Sequence, residues 1–124
     1  AIIYQGEHIG NVSLQSINWV NRSAELAIVI GDIGAWGKGC ATHACAFVLK
    51  HAFTALGLNR IWTGTAESNK GMQRVTAKLG MHEEGRLQEG VFLEGQFVDV
   101  IVYGITANCY RERDEKEKQP KLNL

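Results

Sequence analysis

The sequence predicts one α/β domain, and three observations carry that reading. Short runs rich in Ile, Val and Leu alternate with two segments whose apolar residues return every three or four positions. Glycines stand at the far ends of those two segments, where helices stop. At 124 residues, 45% apolar and with a single proline, the chain is long enough to bury one sizeable core.

Taken in order, residues 1–4 (AIIY) and 10–17 (GNVSLQSI) read as two strands joined by a polar turn at Gln5, Gly6, Glu7 and His8. Residues 24–30 (AELAIVI) form a richer strand. Side chains alternate along extended backbone, so Leu26, Ile28 and Ile30 share one face, and Glu25, Ala27 and Val29 the other. From Gly39 to Leu56 the positions Ala41, Ala44, Cys45, Val48, Ala52 and Leu56 recur with helical spacing, and Gly57 sits where a left-handed residue ends a helix. RIWTGTA at 60–66 follows as a strand. SNKGMQRVTAKLG at 68–80 predicts a shorter helix, capped by Ser68 or Asn69, facing inward through Met72, Val75 and Leu79 and stopped by Gly80. Residues 83–93 and 97–105 read as a hairpin turning at Glu94, Gly95 and Gln96, its second arm FVDVIVYGI being the strongest strand signal in the chain. Beyond Ala107 the run RERDEKEKQPK has almost no apolar content. It reads as a frayed helix or a disordered tail with solvated charges, so the domain is assigned to residues 1–106 and the tail to 107–124.

Thirteen basic and thirteen acidic residues leave no net charge. A basic footprint for nucleic acid or an anionic membrane is therefore missing, and neither is expected as a partner. The three cysteines, Cys40, Cys45 and Cys109, are an odd number without a C-x-x-C pair, which points to reduced thiols in a cytoplasm. No apolar run approaches the roughly 18 residues needed to span a bilayer.

The chemistry concentrates in residues 31–44, GDIGAWGKGCATHA, with glycines at 31, 34, 37 and 39. A strand ending near Ile30, a glycine-rich turn and a helix starting near Lys38 put unpaired backbone N–H groups at a helix N-terminus. The macrodipole there favours negative charge, so the place suits phosphate. Glycine at 37 and 39 keeps side chains from between the amides and the anion. Two familiar phosphate motifs fail on residue type: Gly37-Lys38 is followed by Gly39 where a Walker loop needs Ser or Thr, and a dinucleotide fingerprint begun at Gly37 meets Thr42 where its third glycine belongs. On the glycines alone, a plain strand-to-helix turn is an equal reading.

The stretch resembles motif A of the GNAT superfamily of N-acetyltransferases, Q/R-x-x-G-x-G/A, here W-G-K-G-C-A from Trp36 to Ala41. Tryptophan in place of the leading Gln or Arg is similar to the RimJ/RimL-like branch, which acetylates ribosomal-protein N-termini. IGNVSLQSINWVNRSAELAIVIGD at 9–32, NKGMQRVTAKLGM at 69–81 and GQFVDVIVYGI at 95–105 resemble further family segments in the family's order. The resemblance covers nearly all of residues 1–106. It implies the acyl-coenzyme A N-acyltransferase fold, a mixed and mostly antiparallel sheet with two main helices, truncated at its N-terminus.

It also implies acetyl-coenzyme A as donor, an amine acceptor such as a protein N-terminus, and no metal. The amides of Gly37, Lys38, Gly39, Cys40, Ala41 and Thr42 would hold the diphosphate. The pantetheine arm would lie between the strands at 24–30 and 60–66, pairing with Ala27, Ile28 and Val29 as an added strand does. An amide at Val29 or its neighbour would polarise the thioester carbonyl. Asn69 matches the asparagine opening the second motif, with a role in capping and near the thioester. Glu25 is the candidate base for the amine, directly or through water, with an exposed strand carboxylate as its plain alternative. Asp99 is the second candidate base and could equally pair with a cation. The family often places a tyrosine, or in the RimJ/RimL-like group a serine, in the second helix. This chain has Thr76 and Met72 near those positions, neither a good proton donor.

Other residues take plainer readings. Cys40 and His43 are three apart on a helix but lack further ligands nearby, Cys45 reads as core, and Trp19 and Trp62 read as packing. The strand and helices that open the family fold and build its acceptor wall have no counterpart before residue 10. A truncated member or a core covered by a second subunit is expected, and with it a homodimer or higher oligomer.

Overall fold

In the computed structural model, which describes residues 2–4, 7–30 and 39–118, six strands form one sheet. β1 (Ile2–Tyr4) pairs antiparallel with β2 (Glu7–Asn18), and β2 with β3 (Ser23–Ile30). The helix α1 (Cys40–Thr54) leads to β4 (Arg60–Ala66), which runs parallel to β3. After α2 (Lys70–Leu79) the chain makes the hairpin of β5 (His82–Leu93) and β6 (Gln96–Thr106), with β6 lying between β4 and β5, and α3 (Ala107–Lys118) follows. A parallel neighbour reached through a helix requires a crossover, and the α1 segment provides it. Every other pairing among the described strands is antiparallel.

Most elements stand where the pattern placed them. Glu7 and His8 differ: expected in a turn, they belong to β2, with Glu7 opposite Tyr4. The turn expected at Gln5 and Gly6 lies outside the described residues. The hairpin turn is also tighter than expected. Glu94 and Gly95 take φ of 49° and 78°, the two left-handed residues that a two-residue hairpin loop requires, and Gln96 already pairs with Leu93. Leu58 donates its N–H to the Ala52 carbonyl across Gly57, whose φ of 65° lets the chain leave α1 sharply.

The core lies between one face of the sheet and the two main helices. Ala24 and Leu26 of β3 and Ile61 of β4 meet Cys45 and Ala52 of α1 and Met72, Val75 and Leu79 of α2. Leu49 and Phe53 widen the buried stripe of α1 beyond the predicted positions. Residues 107–118 are helical, and α3 returns to this core: Ala107 is buried and the Tyr110 ring stacks on Phe53 with centroids 4.9 Å apart. Arg113 lies across Gly80 and donates to the Lys78 carbonyl, satisfying an end carbonyl of α2. Among the described residues, no helix is long and apolar enough to cross a membrane.

Candidate functional site

The site begins where the parallel pair comes apart. Between β3 and β4 the ladder holds only Ser23 with Arg60, Ala24 with Ile61 and Glu25 with Trp62. Past that point each strand stays paired on its other side, β3 to β2 as far as Ile30 and β4 to β6 as far as Ala66. The facing edges come apart while both strands stay held in the sheet by their outer partners. Thr63 stands just beyond the last rung and sends its hydroxyl across the opening to the Leu26 carbonyl at 2.8 Å. Beyond it opens a cleft of about 220 Å³ lined by Glu25, Ala27, Ile28, Thr65, Asn69 and Met72. Unpaired main-chain groups on a fixed strand edge accept an extended, amide-bearing chain as a sheet accepts another strand.

The second part is the start of α1. Its N-cap, Gly39, has φ 76° and makes no side-chain cap, and the first turn carries no acidic residue. His43 donates to the Gly39 carbonyl at 3.0 Å. The N–H groups of Cys40, Ala41 and Thr42 precede that bond and have no bonding partner among the described residues, and the positive end of the helix dipole lies with them, a setting that suits an anion. A Cβ on Gly39 would meet none of the described residues within 4 Å, and the left-handed φ itself favours glycine there. Gly37 and Lys38 lie outside the described residues, as does the rest of 31–38.

Side chains at this helix start look elsewhere. Cys40 packs toward Ile2, Ala41 is buried, and Thr42 lines a separate groove between the helices with Lys78, Tyr110 and Arg113. Only their main chain remains for a phosphate. On β3 the predicted alternation shows at Leu26, buried between half-buried Glu25 and Ala27, while Ile28 on the inward face is half-buried against the core, Val29 is exposed and the Ile30 side chain lies outside the described residues. Ala27 and Ile28 line the cleft with Glu25. Asn69 both borders the cleft and caps α2, its Oδ1 accepting the Met72 N–H at 3.0 Å, which decides between the two predicted caps.

Asp99 is engaged outside the cleft lining. Its Oδ1 accepts the Glu89 N–H at 2.9 Å and its Oδ2 the Arg86 guanidinium at 3.1 Å. The Glu89 amide first, and Arg86 with it, hold its carboxyl below the usual range. Of its two predicted roles this is the ion pair, and a doubly bonded carboxylate with lowered proton affinity is a poor base. Thr76 is fully buried and its Oγ1 donates to the Gln73 carbonyl at 2.8 Å, so it has no proton to offer the cleft. Trp19, expected to pack, is exposed in the turn between β2 and β3. Burial pushes the Cys45 thiol up to about 12, as suits a core residue. Among the described residues, no group of three or more His, Cys, Asp and Glu could hold a metal ion.

Sequence reasoning passed over Thr63 and Thr65. The signal was present: alternation in RIWTGTA puts both on the face of buried Ile61, where a hydroxyl needs a partner.

A sheet that splits at its parallel junction, with an uncapped glycine-led helix between the two splitting strands, defines the class of acyl-coenzyme A N-acyltransferase folds. The model of the acetyltransferase (GNAT) domain matches residues 1–82, and the chain belongs to that family. Bacillus subtilis YdaF, provisionally named a ribosomal N-acetyltransferase, is 33% identical over 110 residues, covering 84% of this chain and 56% of YdaF. The spermidine N(1)-acetyltransferase of Escherichia coli K12 is 35% identical over 96 residues, 77% of this chain and 51% of the enzyme. The crystal structure of mutant forms of the spermidine/spermine N-acetyltransferase SpeG from Vibrio cholerae superposes with a TM-score of 0.80 at 35% identity, covering 88% of this chain and 65% of that one. The chain thus spans about half the length of these curated relatives.

Proposed function

We propose that this domain transfers the acetyl group of acetyl-coenzyme A to a primary amine by direct attack on the thioester. The observation that carries the reading is the split between β3 and β4, an edge of unpaired backbone beside an uncapped helix start. The main-chain N–H groups of Gly37 to Thr42 bind the diphosphate. The edge at Ala27, Ile28 and Val29 pairs with the pantetheine arm, and an amide near Val29 stabilises the oxyanion as the amine adds. Glu25, at the narrow end of the cleft, takes the amine's proton directly or through water. The relatives' names support a polyamine, from the spermidine N(1)-acetyltransferases, or a ribosomal acceptor, from YdaF, and a protein N-terminus is the ribosomal amine we put forward. A cytoplasmic setting agrees with three cysteines that are all free.

Acceptor-dependent release of coenzyme A thiol, followed with a panel of polyamines and peptides, tests the reading. The expected result is turnover that falls about hundredfold or more in Glu25→Gln with binding of acetyl-coenzyme A retained. One observation favours a second reading, an acyl-coenzyme A-binding module with little turnover: Thr76, near the position of the family's tyrosine, spends its hydroxyl on the Gln73 carbonyl. Binding heat without acceptor-dependent thiol release selects that reading.

A further inference from the structure

Three threonines are buried among the described residues, and two of them are satisfied: Thr63 donates to Leu26 and Thr76 to Gln73. Thr65 is not. It is 3% exposed, its Oγ1 is buried without any hydrogen-bond partner, and it lines the cleft between the split strands. A buried hydroxyl with no partner has given up its water and gained no bond in return, which destabilises the free protein. Such a cost is retained where a ligand supplies the missing bond.

We infer that the Thr65 hydroxyl is a ligand-positioning group that hydrogen-bonds an amide of the donor's pantetheine arm. The inference rests on the proposed function, and position decides which part of the donor is met. The cleft is closed at Glu25 and Trp62, where the ladder ends, and widens toward the far ends of β3 and β4. The diphosphate donors at Cys40 to Thr42 follow the far end of β3 in the chain, so an arm anchored there enters from the wide end. On β4, Thr65 lies two residues beyond Thr63, about 7 Å nearer that wide end on the same face. The entering chain passes Thr65 before it reaches Thr63 and the narrow end. Thr65 therefore meets the arm's amides, which offer both N–H and C=O to a hydroxyl that can donate and accept.

Thr65→Val keeps the shape and removes the hydroxyl, whereas Thr65→Ser keeps the hydroxyl. Two opposite changes are expected for Thr65→Val. The free protein melts about 3 °C higher, because an unsatisfied polar group is gone. Its calorimetric affinity for acetyl-coenzyme A falls about tenfold, because the bound state loses its bond. Thr65→Ser stays within about threefold of the parent in affinity. Adenosine 3′,5′-bisphosphate, which lacks the pantetheine arm, binds Thr65→Val and the parent equally. Unchanged acetyl-coenzyme A affinity in Thr65→Val overturns the inference alone, as does an equal loss for the bisphosphate. A parent protein that gives no heat with acetyl-coenzyme A overturns the proposed function, and the inference with it.

Discussion

Arg60 and Glu84 join two strands that do not pair with each other. Arg60 opens β4, Glu84 lies in β5, and β6 runs between them, so the pair has to arch over the intervening strand at Gly104. The guanidinium binds the carboxylate as a fork, Nη1 to Oε2 at 2.8 Å and Nη2 to Oε1. A Cβ on Gly104 would meet the Glu84 carboxylate, the far end of a flexible and part-exposed side chain, so glycine here leaves the carboxylate room to reach Arg60. Gly104→Ala displaces that carboxylate and should lower the urea midpoint by the equivalent of no more than about 1 kcal/mol. Pairing it with Glu84→Ala should recover part of that loss, because the clash and the pair cannot be lost twice. The pair is about one-third exposed, so its own worth is small and screened by salt. Its pH signature is definite in sign. The hydrogen bond from Arg60 is the main cause that holds the Glu84 carboxyl below its ordinary value. The stabilisation is therefore complete above the unfolded carboxyl value of about 4.3 and is lost as pH falls through the lower folded value. Melting temperature measured from neutral pH to pH 3 should fall less steeply in Glu84→Gln than in the parent, and parallel curves would refute the pair's role.

At the scale of elements, Asn69 ties stability to the cleft. Its side chain caps α2 through Met72 while the residue borders the opening. Asn69→Ala should cost about 1 kcal/mol in chemical unfolding, and Asn69→Asp, which keeps the accepting oxygen, much less. Tyr110 does similar work for α3, whose ring stack on Phe53 is its main aromatic anchor. Tyr110→Ala should destabilise the domain by about 2 kcal/mol and loosen α3, seen as faster amide exchange across residues 107–118. These elements also mark how far the sequence could be read. α1 and α2 were legible because each carries an apolar stripe and a glycine at its end. α3 was half legible, since a helix held by Ala107 and Tyr110 shows no periodic stripe. The cleft itself was invisible to composition and periodicity: RIWTGTA alternates along its whole length, and only pairing reveals that β3 leaves β4 after Glu25. Family resemblance pointed to the right strands but could not say that Asp99 is held by Arg86 and the Glu89 amide, because that depends on how β5 bends beside β6.

For the whole molecule, the outer hairpin is the unbalanced part. β5 is an edge strand, and beside the loop it shares with β6 the rings of Phe92 and Phe97 pack against each other, tilted by 57° with centroids 5.0 Å apart, while staying 60% and 65% exposed. Leu87 and Leu93 are exposed on the same strand, Leu87 by 56% and Leu93 by 41%. A free edge beside large apolar side chains favours association, since burying them removes apolar surface from water at about 25 cal/mol per Å². Charge does not oppose it, because the chain's net charge is zero. We therefore propose that the domain self-associates through this hairpin as a dimer or larger assembly. Light scattering at micromolar concentration should give at least twice the mass of 13.7 kDa. Phe97→Glu places a charge in the patch at an exposed site, so it should shift the mass to that of one chain while leaving the melting temperature of the monomer nearly unchanged. A parent protein that scatters as a single chain would sink the proposal, and an oligomer indifferent to Phe97→Glu would move the interface away from this hairpin.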